Sequence, residues 1–468
     1  MTANRRLVLV IATAPWLLAM AEPPPQFDGA MLLVPAVEVT TDEARPTLDE
    51  RMDRYGVSAV SLVRIENFEI VESGVYGQLS ADAPAPVTLE TVFQAASISK
   101  PVTAFAVLSL WEEEAIDLDR PVNDYLSRWQ APDAANGTPV TIRQLLSHTS
   151  GLGPQSYPGL ERGTSPPTLA QILEGAPEAY CDPVEPVVDP GAYNYSGGGY
   201  MLLQALVEDV TGQAFEAAMR ERVFAPADMN QSTFAVRTDE TGVARGHGWS
   251  GEPIEFGWAE YPQSAAAGLW STPGDLALLL VSYGRAYRGE ADQVLTQRAA
   301  REMAVAITDG MGLGFGVHGA SEDLRLSHAG WTLGYRSHFV FYPETGDGLV
   351  VMTNGQAGNY LIDDLMRTYG RAYGWAGSGE AVEIEPAAWH SDRLASLEGR
   401  YRMTPAGFEI ELTRSGSGFE LVTPRGSRYR AVPAGTDHLL VTETGDRIDI
   451  DWSTGRLRLW GMSTAPAG

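Results

Sequence analysis

Lysine is almost absent from this chain: Lys100 stands alone among 33 basic residues, so the other 32 (33 − 1) are arginines. Cysteine is as scarce, and with Cys181 unique no intrachain disulfide can form, which leaves the fold to its core and makes Cys181 a structural thiol. Basic charge falls far short of the 60 acidic residues, and a formal net charge of −27 excludes the positive surface that nucleic acid demands. Such an excess suits a well-solvated protein in salty or exported surroundings. The apolar run near the N-terminus, Leu7 to Ala19, is too short, and too broken by Pro15, for a comfortable membrane span. There is no internal repeat, no phosphate loop, and no His or Cys cluster with metal-ligand spacing, so neither cofactor nor metal is expected.

What is present begins with length. At 468 residues the chain exceeds the usual ceiling for one core, and two domains are expected. Arg5-Arg6, the apolar run and Ala19-Met20-Ala21 form the three regions of a secretory signal, 1–21, which implies an exported protein, periplasmic or secreted, without a stable membrane span after cleavage. Residues 22–46 are Pro-rich and patternless and read as an export linker. A short amphipathic helix, Leu48 to Tyr55, precedes two β-rich runs, Val57 to Ile65 and Phe68 to Gly77, that read as a hairpin turning at Glu66-Asn67.

The stretch Phe93 to Glu114 holds the unique lysine. A guanidinium stays protonated at any pH a protein survives, whereas a buried ammonium can give up its proton. Ser97 lies three residues earlier, and positions i and i+3 share one helix face, so hydroxyl and amine come within hydrogen-bond reach. Pro101 is tolerable only within the first turn, which puts Ser97 at the helix N-terminus. Further on, Gly153 to Gly191 is a Pro- and Gly-rich segment that reads as a wall of a substrate cleft. Tyr195 follows it, just ahead of Ser196-Gly197-Gly198-Gly199 and a helix whose dipole would favour a phenolate. A strand-like piece and a Ser271-Thr272-Pro273 helix start come next, then strands at 314–317, 324–327, 335–342 and 348–353, and a closing helix over 359–373. Gly374 to Gly379 reads as a linker, and the short alternating runs beyond Leu397 as a small antiparallel barrel or sandwich.

Three stretches then fall into register. Ser97-Ile98-Ser99-Lys100, Tyr195-Ser196-Gly197 after Pro190-Gly191, and His328-Ala329-Gly330 resemble the three active-site motifs of class C β-lactamases and their esterase and D-amino-acid peptidase relatives. The flanks QLLSHTSGL, AAAGLWSTPGDLA and GYRS resemble the family too, over roughly Leu48 to Tyr373, and the tail resembles the lipocalin-like barrels often appended to such hydrolases. The implied fold is α/β: a β-lactamase-like antiparallel sheet flanked by helices with an all-helical insertion between Ser97 and about Ala304, covering residues 47–375, plus a small all-β barrel over 380–468.

The resemblance implies a serine hydrolase that works through an acyl-enzyme on Ser97, with Lys100 and Tyr195 handling protons. It implies an oxyanion hole from the backbone N–H groups of Ser97 and Trp331, and substrate contacts at His328, Ala329, Gly330 and Gly197. Two residues depart from the pattern: Gly197 replaces the asparagine that helps hold a lactam side chain, and His328 replaces a lysine. A histidine is only partly charged near neutral pH, so a neutral small-molecule ester is expected over carboxylate-bearing substrates. The alternatives are an amide or peptide substrate, as in D-alanyl-D-alanine carboxypeptidases and D-aminopeptidases, a β-lactam, or a non-catalytic ligand-binding relative. The other histidines, His148 among them, read as structural.

Overall fold

The computed structural model describes residues 25–42, 44–308 and 310–465; the expected signal segment 1–21 lies outside them. Both ends of the hydrolase region contribute to one six-stranded antiparallel sheet, in the spatial order Glu69–Gly77, Ala59–Glu66, Asp347–Thr353, Tyr335–Tyr342, Arg325–Thr332 and Gly316–His318. Successive side chains of a strand point to opposite faces, and here each face has its own core. Along Tyr335–Tyr342, Tyr335, Phe339 and Phe341 pack under the helical insertion. Val340 and Tyr342 pack on the other face, against the helices Leu48–Tyr55 and Gly358–Tyr373.

Local sequence explains most helix ends. Leu48–Tyr55 starts at a capping box of Thr47 and Glu50 and stops at Gly56 in the left-handed region (φ 61°). The strand Leu269–Ser271 gives way to the helix Pro273–Arg288 at an N-cap, Thr272, with proline in the first turn. The insertion is not all helical. Besides its helices it holds the small sheet of Leu160–Glu161 with Ala259–Glu260, and a strand, Leu269–Ser271, that pairs with Phe93–Ala96 just ahead of it. Strands this short show no period-two pattern and exist because tertiary neighbours pair with them.

Beyond Gly399 an eight-stranded antiparallel barrel closes on itself, its first strand Gly399–Thr404 pairing with its last, Met462–Ala465. Its interior is filled by its own core, including Met403, Leu412, Phe419, Leu421 and Leu457.

Among the described residues, both expected linkers are packed structure. In the 22–46 segment Leu33 and Val34 are fully buried, the Val34 N–H donates to Thr368 Oγ1 (2.8 Å), and Val37–Val39 pairs in parallel with Val382–Ile384. Apolar side chains without periodicity gave no signal of this. At Gly374 to Gly379, Trp375 is buried and the Tyr342 hydroxyl donates to the Ala376 carbonyl (2.8 Å). Arg325 donates to the Gly377 carbonyl and to Ser378 Oγ.

Hydrolase region and barrel also share buried ions. Glu443 of the barrel meets Arg54 at 2.8 Å and Arg51 at 3.3 Å, and Arg51 meets Asp364 at 3.1 Å. Burial pushes the Asp364 carboxyl up to about 6 against the pull of Arg51 and Arg367. Among the described residues no helix is long and apolar enough to cross a membrane.

Candidate active site

The strand Phe93–Ala96 ends in a sharp turn in which Ala96 takes φ 53°, and the helix Ser99–Glu112 starts behind it. A left-handed alanine costs about 1 kcal/mol, and here it lifts the next residue, Ser97, off the end of the strand. Ser97 therefore precedes the helix by two residues rather than sitting in its first turn. Ser99 fixes the turn: its hydroxyl donates to the Ala96 carbonyl (2.5 Å) and accepts from the Leu269 N–H (3.0 Å).

Lys100 is brought to Ser97 as expected. Its Nζ donates to the Ala266 carbonyl (2.7 Å) and to Ser97 Oγ (3.2 Å), and lies 4.7 Å from the centre of the Tyr195 ring. Burial alone pushes its pKa down to about 7. Tyr195 hydrogen-bonds with Ser97, but it is no phenolate: burial pushes its hydroxyl up to about 12, outweighing the Ser97 contact. The helix dipole does not rescue the charged form, because Ser196 is the N-cap of Gly197–Thr211 and takes the Gly199 N–H (2.8 Å) on its own hydroxyl. Lys100, not Tyr195, is the group poised to change charge near neutrality.

His328 is buried, with Nδ1 2.8 Å from the Ala329 carbonyl, which fixes the proton on that nitrogen. Burial, then the nearby Lys100, push it down to about 3. It is fully neutral at pH 7, where sequence reasoning expected partial charge.

His148, read as structural, belongs to the site's frame. It is fully buried with φ 57°, its Nδ1 accepts from the Ser196 N–H (3.0 Å), and its ring lies against Tyr195 at 4.4 Å between centroids. Burial, then Lys100 and His328, hold it neutral. It orients Tyr195, and only its place in QLLSHTSGL, upstream of Tyr195 by 47 residues (195 − 148), could have hinted at that.

The strand Arg325–Thr332 runs past Ser97. Gly330 has no room for a side chain, since a Cβ would come 2.3 Å from the Ala95 carbonyl and 2.1 Å from Ser337 Oγ. Ser337 Oγ itself donates to that carbonyl (2.8 Å). Beyond lies a two-residue hairpin turn, Leu333-Gly334, flanked by the pair Thr332 and Tyr335. Pairs alternate between hydrogen-bonded and non-hydrogen-bonded, so Trp331, opposite Arg336, aims its N–H away from Tyr335–Tyr342 and off the sheet edge. Gly316–His318 covers that edge only as far as Ser327, which leaves the N–H groups of Ala329 and Trp331 open to the cleft.

Ser97, Tyr195, His328, Ala329, Gly330 and Trp331 all line one cavity of about 930 Å³, as do Tyr157 and Pro158 of the expected cleft wall. Gly197 does not line it. It is buried, its N–H donates to the Gln155 carbonyl (3.0 Å), and a Cβ would lie 2.9 Å from the Tyr157 ring. The wall loop fills the space that the family's asparagine would need, so Gly197 is a packing residue and not a substrate contact. Among the described residues no group of three or more His, Cys, Asp or Glu side chains could hold a metal ion.

A family model, Beta-lactamase, matches residues 44–368. Similar proteins include penicillin-binding protein 4 of Amycolatopsis lactamdurans, 28% identical over 62% of this chain and 79% of the relative. Esterase EstB of Burkholderia gladioli is 30% identical over 56% of this chain and 75% of its own length. The octameric penicillin-binding protein homologue of Pyrococcus abyssi superposes with a TM-score of 0.62 at 22% identity, over 89% of this chain and 98% of that one. With fold, motif geometry and family model in agreement over the same residues, this chain belongs to the Beta-lactamase family of serine hydrolases.

Proposed function

We propose that this hydrolase cleaves carboxylic esters through an acyl-enzyme on Ser97. The observation that carries the reading is Lys100 Nζ, buried, pushed down to about 7, and 3.2 Å from Ser97 Oγ. In its neutral form the amine accepts the Ser97 proton as Oγ bonds to the substrate carbonyl carbon. The carbonyl oxygen takes up negative charge between the N–H groups of Ser97 and Trp331. Collapse expels the alcohol, which receives its proton from Lys100 by way of the Tyr195 hydroxyl. Water activated by the same pair then releases the acid and restores Ser97.

Esters are favoured over β-lactams because His328 supplies no positive charge and because the loop at Gln155 occupies the place of the lactam-binding amide. The relative named an esterase, at 30% identity, supports the same choice. Amide hydrolysis of an extended peptide is the second reading, favoured by the open edge at Ala329 and Trp331, which can pair with a peptide backbone. A panel of p-nitrophenyl esters, nitrocefin and D-amino-acid amides tests this. Short esters should exceed nitrocefin in kcat/KM by about 100-fold or more, and Ser97→Ala should abolish turnover. Comparable constants for esters and nitrocefin would refute the ester reading.

A further inference from the structure

Arg336 is a buried charge with no ion-pair partner among the described residues. It stands opposite Trp331 in a non-hydrogen-bonded pair, the kind that brings side chains closest, and it faces away from the Ser97 side of the sheet. Its guanidinium carbon lies 3.7 Å from the centre of the Trp331 ring, and the residue is 2% exposed. One nitrogen, Nη1, donates to the carbonyls of Thr332 (2.9 Å) and Tyr335 (2.6 Å). Nε and Nη2 have no partner among the described residues. Those two nitrogens share one edge of the guanidinium plane, and that edge is the fork that matches a carboxylate with two parallel hydrogen bonds.

A buried charge ordinarily has a counter-ion. Here the groups that act on Arg336 are Tyr261, Tyr360 and a second cation, Arg425. Asp363 lines the same cavity, but its carboxyl is pushed up by burial, and the cation that acts on it is Arg367 rather than Arg336. The guanidinium is pushed down to about 9 by burial and remains a cation at neutral pH. Arg425 sits in the turn between the barrel strands Gly418–Val422 and Arg428–Pro433, with its guanidinium carbon 5.1 Å from the Trp249 ring. Trp249 meets Trp331 edge-on at 6.2 Å. Two arginines without a carboxylate partner among the described residues thus bracket two tryptophans beside the cavity that holds Ser97, in a chain of net charge −27.

We propose that Arg336, assisted by Arg425 of the barrel, forms an anion subsite that takes a carboxylate carried by the substrate at a distance from its scissile carbonyl. The proposal rests on the Ser97 acyl-transfer reading and deepens it by naming the substrate as an acid-bearing ester. Trp331 links the two sites: its N–H faces the reacting carbonyl, and its ring, on a residue 58% exposed, lies against the Arg336 guanidinium. Arg336 and His328 lie on opposite faces of the strand pair, so this cation does not stand in for the family's lysine at His328. The subsite gives the barrel a role in the reaction, as the bearer of the second cation.

The test compares two matched ester pairs at low salt. Mono-p-nitrophenyl glutarate and its neutral glutaramate carry the difference on the acyl side; 4-acetoxybenzoate and 4-acetoxybenzamide carry it on the leaving group. In at least one pair kcat/KM for the acid should exceed that for the amide by about tenfold or more. That ratio should fall toward one in Arg336→Gln and by about threefold in Arg425→Ala. Ratios at or below one in both pairs for the unaltered protein overturn the subsite while leaving ester hydrolysis standing. No hydrolysis of any of the four defeats the Ser97 reading and the subsite with it. Should Arg336→Gln fail to fold, Arg425→Ala decides, and an unchanged ratio there overturns the shared site.

Discussion

Replacing Lys100 by arginine keeps a positive charge beside Ser97 and removes the ability to accept a proton. The structure sets the size of the effect. Burial moves the amine from 10.5 to about 7, and a difference of 3.5 (10.5 − 7) at 1.36 kcal/mol per pH unit is about 5 kcal/mol against the charged form. At pH 7 roughly half of such amines are neutral, against about one in 3,000 for an unshifted lysine. Tyr195, at about 12, is ionised in only about one molecule in 100,000 at that pH. The base form of Lys100 exists above its pKa, so kcat/KM for a short-chain ester should climb as pH rises through about 7 and stay flat to about 10. Lys100→Arg should lose about a thousandfold, near the middle of the range for removing a general base. Initial rates between pH 5 and 10 on both proteins measure this. A profile in the unaltered enzyme that keeps rising about tenfold per unit from pH 7 to 10, with Lys100→Arg retaining more than a tenth of the activity, would move the base to Tyr195 and refute the reasoning.

Gly330→Ala places a Cβ 2.3 Å from the Ala95 carbonyl and so pushes the Trp331 strand off the strand Phe93–Ala96 that leads into Ser97. It should lower kcat for a small ester by about tenfold or more while the far-ultraviolet circular dichroism is unchanged, and full activity would deny that this contact sets the oxyanion geometry. Gly197→Asn restores the family's residue type but collides with the Tyr157 ring at 2.9 Å, so melting should fall by several degrees with no gain in nitrocefin turnover. A gain would show that the loop yields. Glu443→Gln leaves Arg51 and Arg54 short of a buried counter-charge and should cost about 3 kcal/mol in urea unfolding. A loss below about 1 kcal/mol would mean that barrel and hydrolase region are coupled only loosely.

What could be seen in the sequence was local. Ser97 and Lys100 are three residues apart, Thr272-Pro273 announces its helix, and His328-Ala329-Gly330 lies beside a turn, so near neighbours in the chain carried the signal. What was hidden depends on partners far along the chain. Leu33 and Val34 pack on a helix more than 300 residues away, and Gly399–Thr404 becomes a barrel strand by closing against Met462–Ala465. Gly197 looked like a lost substrate contact because nothing in the sequence says that Gln155 and Tyr157 fold over it. Tyr195 was misjudged as a phenolate because a helix start is visible in sequence and the depth of burial is not. Arg336 was one arginine among 32 until the fold buried it without an ion-pair partner among the described residues.

The central claim is that Ser97 carries the acyl group. Incubation with a fluorophosphonate, followed by peptide mass spectrometry, tests it without knowledge of the natural substrate. One phosphonyl adduct per chain, on the peptide containing Ser97, is the expected result, together with loss of ester hydrolysis in step with labelling and slowed labelling in Lys100→Arg. A folded protein that takes up no adduct, or takes it up on another serine while Ser97 stays unmodified, would contradict the account.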